Sequence, residues 1–281
     1  MALVRVGRIL TDTPLSRRHA RLIAGKGRRK LVEIPWESFD RKRYPEAALA
    51  LASEAQRALA VGEYTAIDLF SRLASALTSN GAPLDLVSAA ARIPEDEARH
   101  ADYTLHFSSL LAGRETALAF DPAAQPWQWT GVASPEIVDR MMLEVSAVGE
   151  TIAVALLQAC LERASDPVAR GVFASILSDE VHHARLGWYY LAWRAPQWSL
   201  AERQRLADRC GEMIMRLEVQ FSRGRDAPRG AQKGAKALGI LETKGQRRVI
   251  AAVVEGELLP GLDALGLGAS HAWAVRQRVA E

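Results

Sequence analysis

The sequence predicts an all-α protein. Two helical hairpins form a four-helix bundle, joined by a long crossover between the second and third helices, with a basic N-terminal arm before it and further helices after it. Three observations lead there. Apolar residues recur at spacings of three and four over four long stretches, the period of helices that bury one face. No stretch of any length reads as a strand. One phrase, D-E-x-x-H-A, occurs twice, as Asp96-Glu97-Ala98-Arg99-His100-Ala101 and Asp179-Glu180-Val181-His182-His183-Ala184. Each copy follows a V-G-E phrase, Val61-Gly62-Glu63 and Val148-Gly149-Glu150.

Residues 1–44 hold 12 Lys/Arg against 4 Asp/Glu, although the whole chain carries only +3. They read as an arm that packs on the body through Trp36 and Phe39. Pro45 suits a first helical position, where its missing N–H would be unpaired anyway. The first long helix runs from Glu46 to about Thr78, with Leu59, Gly62/Glu63, Ala66/Ile67, Phe70, Leu73 and Leu77 on its apolar stripe. Ser79-Asn80-Gly81-Ala82-Pro83 stops it with turn chemistry. The second helix, from about Leu84 to Leu111, carries Glu97 and His100 in the centre of its apolar face.

Between Gly113 and Ser134 the helical pattern lapses, and about 20 extended residues at roughly 3.3 Å each can run the length of a bundle. The third helix starts at Pro135 and reaches about Ala164, with Glu150 on its stripe. After Ser165-Asp166-Pro167 the fourth runs to about Arg194, with Glu180 and His183 on its stripe. The bundle therefore spans 45–195, and 196–281 adds helices from Leu200 to about Phe221 and from about Lys244 to Leu258. The Gly/Lys/Arg segment from Arg223 to Lys236 is expected to be mobile. A second basic stretch, Arg223 to Arg248, reads as solvated surface or intersubunit contact rather than an anion site.

The repeat carries the chemistry. Each V-G-E glutamate sits about 16 residues before its turn and each E-x-x-H about 14 after it, so an antiparallel hairpin places all three side chains at one height. Glu and His at i and i+3 share a helix face. Two hairpins then gather six candidate metal ligands: Glu63, Glu97, His100, Glu150, Glu180 and His183. Four carboxylates in an apolar bundle repel one another, and each costs several kcal/mol or more to bury unpaired. Two divalent cations would cancel their charge, and the imidazoles would complete the coordination.

This ligand set resembles that of the ferritin-like di-iron carboxylate superfamily over about Pro45 to Arg194, and its oxygen-activating branch more than the iron-storage cages. The resemblance implies that Glu97 and Glu180 bridge two iron ions, with Glu63 and His100 on one and Glu150 and His183 on the other. It also implies that Asp96 accepts a hydrogen bond from His183 and Asp179 from His100, fixing each imidazole's tautomer. Thr104 stands where ribonucleotide reductase small subunits carry a radical tyrosine, so no such radical is expected there. Rubrerythrin-like cysteine pairs are absent from the sequence, and Ile176 replaces the extra histidine of some arylamine N-oxygenases.

Other residues read as structural: Glu144 as flanking surface, His182 as a surface histidine, and Tyr103, Tyr189, Tyr190, Trp188 and Trp193 as packing. The sequence leaves His106 open between core and solvent. Gly62 and Gly149 each precede a ligand and cost about 1 kcal/mol in a helix, which suggests close helix approach or room beside the metals.

The function expected is an O2-activating non-haem di-iron oxidase or oxygenase on a small organic or carrier-bound substrate. Ile67, Thr104 and Val154 would line its pocket, and an external electron donor could dock at the basic arm. Alternatives are an iron oxidase or iron-handling protein, or a di-manganese or Mn/Fe version. Residues 1–10 lack a signal peptide's apolar region, no apolar run approaches membrane-spanning length, and no motif marks nucleic acid. Cys160 and Cys210 fit no zinc or haem spacing. A cytoplasmic protein with reduced thiols, assembling as a homodimer, is the expectation.

Overall fold

A computed structural model describes residues 13–15, 17, 33–120, 127, 129, 131–221 and 226–280. Among them every regular element is helical. Most of the arm, residues 1–12, 16 and 18–32, lies outside the described residues, as does the segment 222–225. The arm's last part folds as expected onto the body. Trp36 meets the edge of His106 at 4.5 Å and Tyr103 at 6.0 Å, and Phe39 meets Phe107 at 5.6 Å. His106 itself is exposed.

Helix α1 (Glu46–Ser79) pairs antiparallel with α3 (Ile93–Ala112): Ser53 and Ser108 exchange hydrogen bonds near one end, while Glu63 faces His100 further along. The second helix expected from Leu84 to Leu111 is two helices. A short α2 (Leu84–Ala90) ends before α3 starts, because Pro94 enters at the first turn of α3 with no N–H to continue a ladder. Gly113, with φ of 67°, closes α3 in the left-handed conformation that a side chain would strain.

The described residues of the connection follow α1 along its length. Phe120 packs on Tyr64 at 5.2 Å, the Arg72 guanidinium lies over Trp129 at 5.9 Å, and Asn80 Nδ2 donates to Ala133 O at 2.9 Å. Ser134 Oγ then accepts from Ile137 N and starts α4 (Pro135–Arg163). This helix is long and apolar enough to cross a membrane by length and composition, which corrects the expectation that no run approaches that length; half of its most apolar window is buried inside the protein.

Helix α4 is not uniformly α-helical. Met142–Gly149 is a π-helical segment immediately before Glu150. Helix α5 (Pro167–Arg194) begins at Asp166, whose Oδ1 accepts from Val168 N and Ala169 N while Oδ2 accepts from Tyr44 OH at 2.6 Å. It runs antiparallel to α4: Tyr190 reaches Asp139 at one end and Ser146 reaches His183 O further along.

Helix α6 (Leu200–Phe221) follows, opened by a capping box in which Glu202 Oε2 accepts from Ser199 N at 2.7 Å and Ser199 Oγ accepts from Glu202 N. Part of the segment expected to be mobile is ordered helix: α7 (Gln232–Ala237) buries Gly234 and Ala235 against α1, where Gly234 sits within reach of Ala48 and Pro45. The later helix extends as α8 (Thr243–Val253), a π-helical turn and α9 (Leu259–Ala264), before α10 (Ala269–Ala280).

Two apolar clusters fill the interior. One gathers Phe70, Leu73, Ile93, Met141, Ile152, Leu186 and Tyr190 with residues of α6, α8, α9 and α10. The other gathers Leu49, Ala52, Phe107, Leu157, Val172 and Ile176. Along α1, α3 and α5 the change from one cluster to the other falls at Glu63, at Glu97 and His100, and at Glu180 and His183.

Candidate metal centre

Those polar residues form one buried cluster. Glu63, Glu97, His100, Glu180 and His183 are between 0% and 8% exposed, and Glu150 is half-buried. Ligand atoms of Glu63, Glu97, His100 and Glu180 lie within 4.8 Å of one another, and so do those of Glu150, Glu180 and His183. Each group can hold a metal ion, and Glu180 belongs to both. The E-x-x-H spacing produces this because three residues on a helix subtend nearly one turn, so Glu and His leave α3 and α5 side by side.

The two histidines face each other with ring centroids 5.9 Å apart. His100 Nδ1 lies 3.0 Å from Glu180 Oε1, 3.6 Å from Glu63 Oε2 and 3.6 Å from Glu97 Oε2. His183 Nδ1 lies 2.9 Å from Glu180 Oε2 and 3.2 Å from Glu97 Oε1. Both Glu97 and Glu180 therefore turn one oxygen toward each imidazole. Outside this ring Asp179 Oδ2 stands 3.3 Å from His100 Nε2, and Asp96 Oδ2 stands 3.4 Å from His183 Nε2. Each aspartate meets the histidine of the other copy.

Electrostatics show what such a cluster lacks. Burial and then the neighbouring carboxylates drive Glu150 well above the usual carboxylate range. Burial does the same to Glu63, helped by Glu97 and Glu180 and opposed by His100. Glu97 and Glu180 are held below that range despite burial, since each faces both imidazoles. Burial opposes charging His100 and His183, yet the carboxylates around them win and raise both well above the usual imidazole range. Without metal, protons supply the positive charge the carboxylates need. Even so, His100 Nδ1 and Glu97 Oε2 are buried with no hydrogen-bond partner. A cation held by this group of carboxylates and imidazoles would give both atoms a partner.

Arg99 was no part of the site expected from sequence. Its Nη2 lies 2.5 Å from Asp96 Oδ1 and 2.8 Å from Asp179 Oδ2, so one guanidinium ties together the two aspartates that face the histidines. The signal was present in the spelling: the residue before the first histidine is Arg99, and before the second it is His182. His182 is half-buried.

Glu144 corrects the expectation of a surface residue. It is 4% exposed, ion-paired with Arg216 of α6 and 3.5 Å from Arg140, because the π-helical segment turns it inward. The glycines also differ from expectation. A Cβ at Gly62 would meet nothing within 4 Å, so close helix approach does not explain it, and at Gly149 it would meet only Glu144 O at 3.1 Å. The close approach is at Gly187, where a Cβ would fall 2.2 Å from Ala147 N. Of the expected pocket residues, Thr104 is fully buried with its hydroxyl donated to His100 O at 2.7 Å, while Ile67 and Val154 are half-buried.

Compared with family models, curated proteins and solved structures, the chain matches none.

Proposed function

We propose that this chain is an O2-using non-haem di-iron oxidase or oxygenase, built on a ferritin-like four-helix bundle, that acts on a small organic or carrier-bound substrate. The observation that carries the reading is the placement of Glu97 and Glu180, each with one oxygen toward His100 and one toward His183. In this reading Glu63 and His100 would hold one ion, Glu150 and His183 would hold the other, and Glu97 and Glu180 would serve both. When bound, a ferrous pair supplies electrons to O2 that one ion alone would have to supply by itself.

The protein's own contribution is to hold and shield. Asp179 and Asp96 accept from Nε2 of His100 and His183, which leaves each Nδ1 free to ligate. Thr104, fully buried, spends its hydroxyl on the α3 backbone. The apolar clusters on either side keep bulk water from the centre. Glu150 is the most exposed of the six, which makes its side of the cluster the approach for a substrate.

The test is metal analysis followed by O2 uptake. Anaerobic loading with Fe(II) is expected to give about two irons per chain, and admitting air is expected to consume O2. Fewer than one tightly bound metal under every loading condition sinks the proposal. His100→Ala and Glu180→Ala should each lower the iron content, and unchanged stoichiometry in both would contradict the assignment of ligands.

A further inference from the structure

The basic stretch beyond α6 takes a definite shape where it enters α8. Lys244, Arg247 and Arg248 line one open cleft of about 470 Å³ together with Asp226, Thr243 and Ala251. Spaced by three and four on an 11-residue helix, the three cations share one face. All three are exposed, and among the described residues none makes an ion pair. Asp226, the carboxylate in the lining, accepts from Thr243 N through Oδ1 at 2.9 Å, and Glu242, just before α8, pairs with Arg163 at 3.1 Å. Gly245 adds no bulk, since even a Cβ there would meet nothing within 4 Å.

Three like charges on one helix face repel one another and destabilise it. A bound anion would offset that cost. Counting Asp226 against the three cations, the lining carries a formal charge of +2. A carboxylate ligand would answer only half of it, whereas a phosphate monoester carries about −1.5 to −2 near neutral pH. Arginine also offers the planar fork that matches phosphate oxygens in pairs.

We propose that this cleft is a binding site for the phosphate group of a small phosphorylated compound. The site is separate from the buried carboxylate cluster and does not depend on what that cluster holds. Calorimetric titration of the full chain, stripped of metal with a chelator, tests it with inorganic phosphate and adenosine monophosphate as probes and acetate at matched ionic strength as control. One saturable site for phosphate, absent for acetate, is expected. Tighter binding of the nucleotide would identify a nucleoside source, and equal binding would assign recognition to the phosphate alone.

The combined substitution Lys244→Gln/Arg247→Gln/Arg248→Gln should weaken phosphate at least tenfold. The combination Lys42→Gln/Lys233→Gln/Lys236→Gln, which removes the same charge from exposed positions elsewhere, should leave it within twofold. Circular dichroism on both variants verifies that they are folded. The absence of saturable phosphate binding, or equal weakening by the two sets, overturns the proposal.

Discussion

At the scale of single residues, Arg99 shows how little of a centre's rigidity is visible in its ligands. A guanidinium shared by Asp96 and Asp179 holds the two acceptors that orient both imidazoles. Replacing it by Gln leaves the buried Asp179 and the half-buried Asp96 without their common cation. Arg99→Gln is therefore expected to lower iron affinity roughly 10- to 100-fold, the usual cost of losing a group behind the ligands; chelator competition would measure it, and unchanged affinity would remove Arg99 from the account. Glu202 offers a pH test away from the centre. Hydrogen bonds from the Ser199 side chain and backbone, with Arg194 nearby, pull its carboxyl down to about 2. A carboxylate depressed on folding stabilises the fold above its unfolded pKa of about 4.3 and loses that contribution as pH falls through the folded value. Glu202→Gln should thus lower denaturant stability at pH 7, and the gap from the parent chain should close between about pH 4.5 and 2. A gap that persists at pH 2 would mean the carboxylate's charge is not the cause.

At the scale of elements, the packing of α4 on α5 is the decisive contact. Ser146 Oγ donates to His183 O at 2.7 Å, and the Ala147 backbone leaves no room for a side chain at position 187. Gly187→Ala must push the π-helical segment away from α5, at a cost of about 1–3 kcal/mol or more. Because Glu150 follows that segment directly, the same change should lower iron content; a variant with unaltered stability would show that the segment yields freely. A second tie lies at the C-terminal end of α5. Asp139, 2% exposed, accepts from Tyr190 OH at 2.6 Å and from Trp198 Nε1 at 2.9 Å and stands 3.2 Å from Arg194. It binds the start of α4 to the end of α5 and to the corner leading into α6. Asp139→Ala leaves the Tyr190 hydroxyl and the Trp198 N–H without their acceptor and leaves Arg194 with Glu202 alone, and a loss of about 1–3 kcal/mol in unfolding free energy is expected.

At the scale of the whole molecule, the candidate centre is a polar layer between two apolar clusters, and a bound cation would offset the cost of burying it. Metal that binds only the folded chain stabilises it by mass action, about 2.7 kcal/mol at a free concentration 100 times Kd. For a chain of this size that corresponds to a rise of roughly 5 °C in Tm. Thermal melts with and without ferrous ion under anaerobic conditions would check this, and coincident melts would argue that the cluster is held by protons alone.

The helices and the six clustered residues were legible in the sequence because both depend on local period. Spacing of three and four defines a buried face, and Glu-x-x-His on such a face has only the interior to enter. The doubled phrase added the second half, and symmetry about each turn set the heights. What periodicity could not show was any feature that depends on how one helix meets another. The π-helical segment, with its i→i+5 bonds, departs from the α-helical period and carries Glu144 inward, which a stripe counted at α-helical spacing does not show. Pro94 breaks the second helix without breaking its apolar pattern. Arg99 sits between an acid of its own helix and one 80 positions later, a pairing that no local period encodes. Residue order thus determined the helices, the two glutamate–histidine pairs and their facing registers. Tertiary structure alone decided which carboxylate oxygen faces which imidazole, since that follows from the separation and rotation of packed helices rather than from spacing along any one of them.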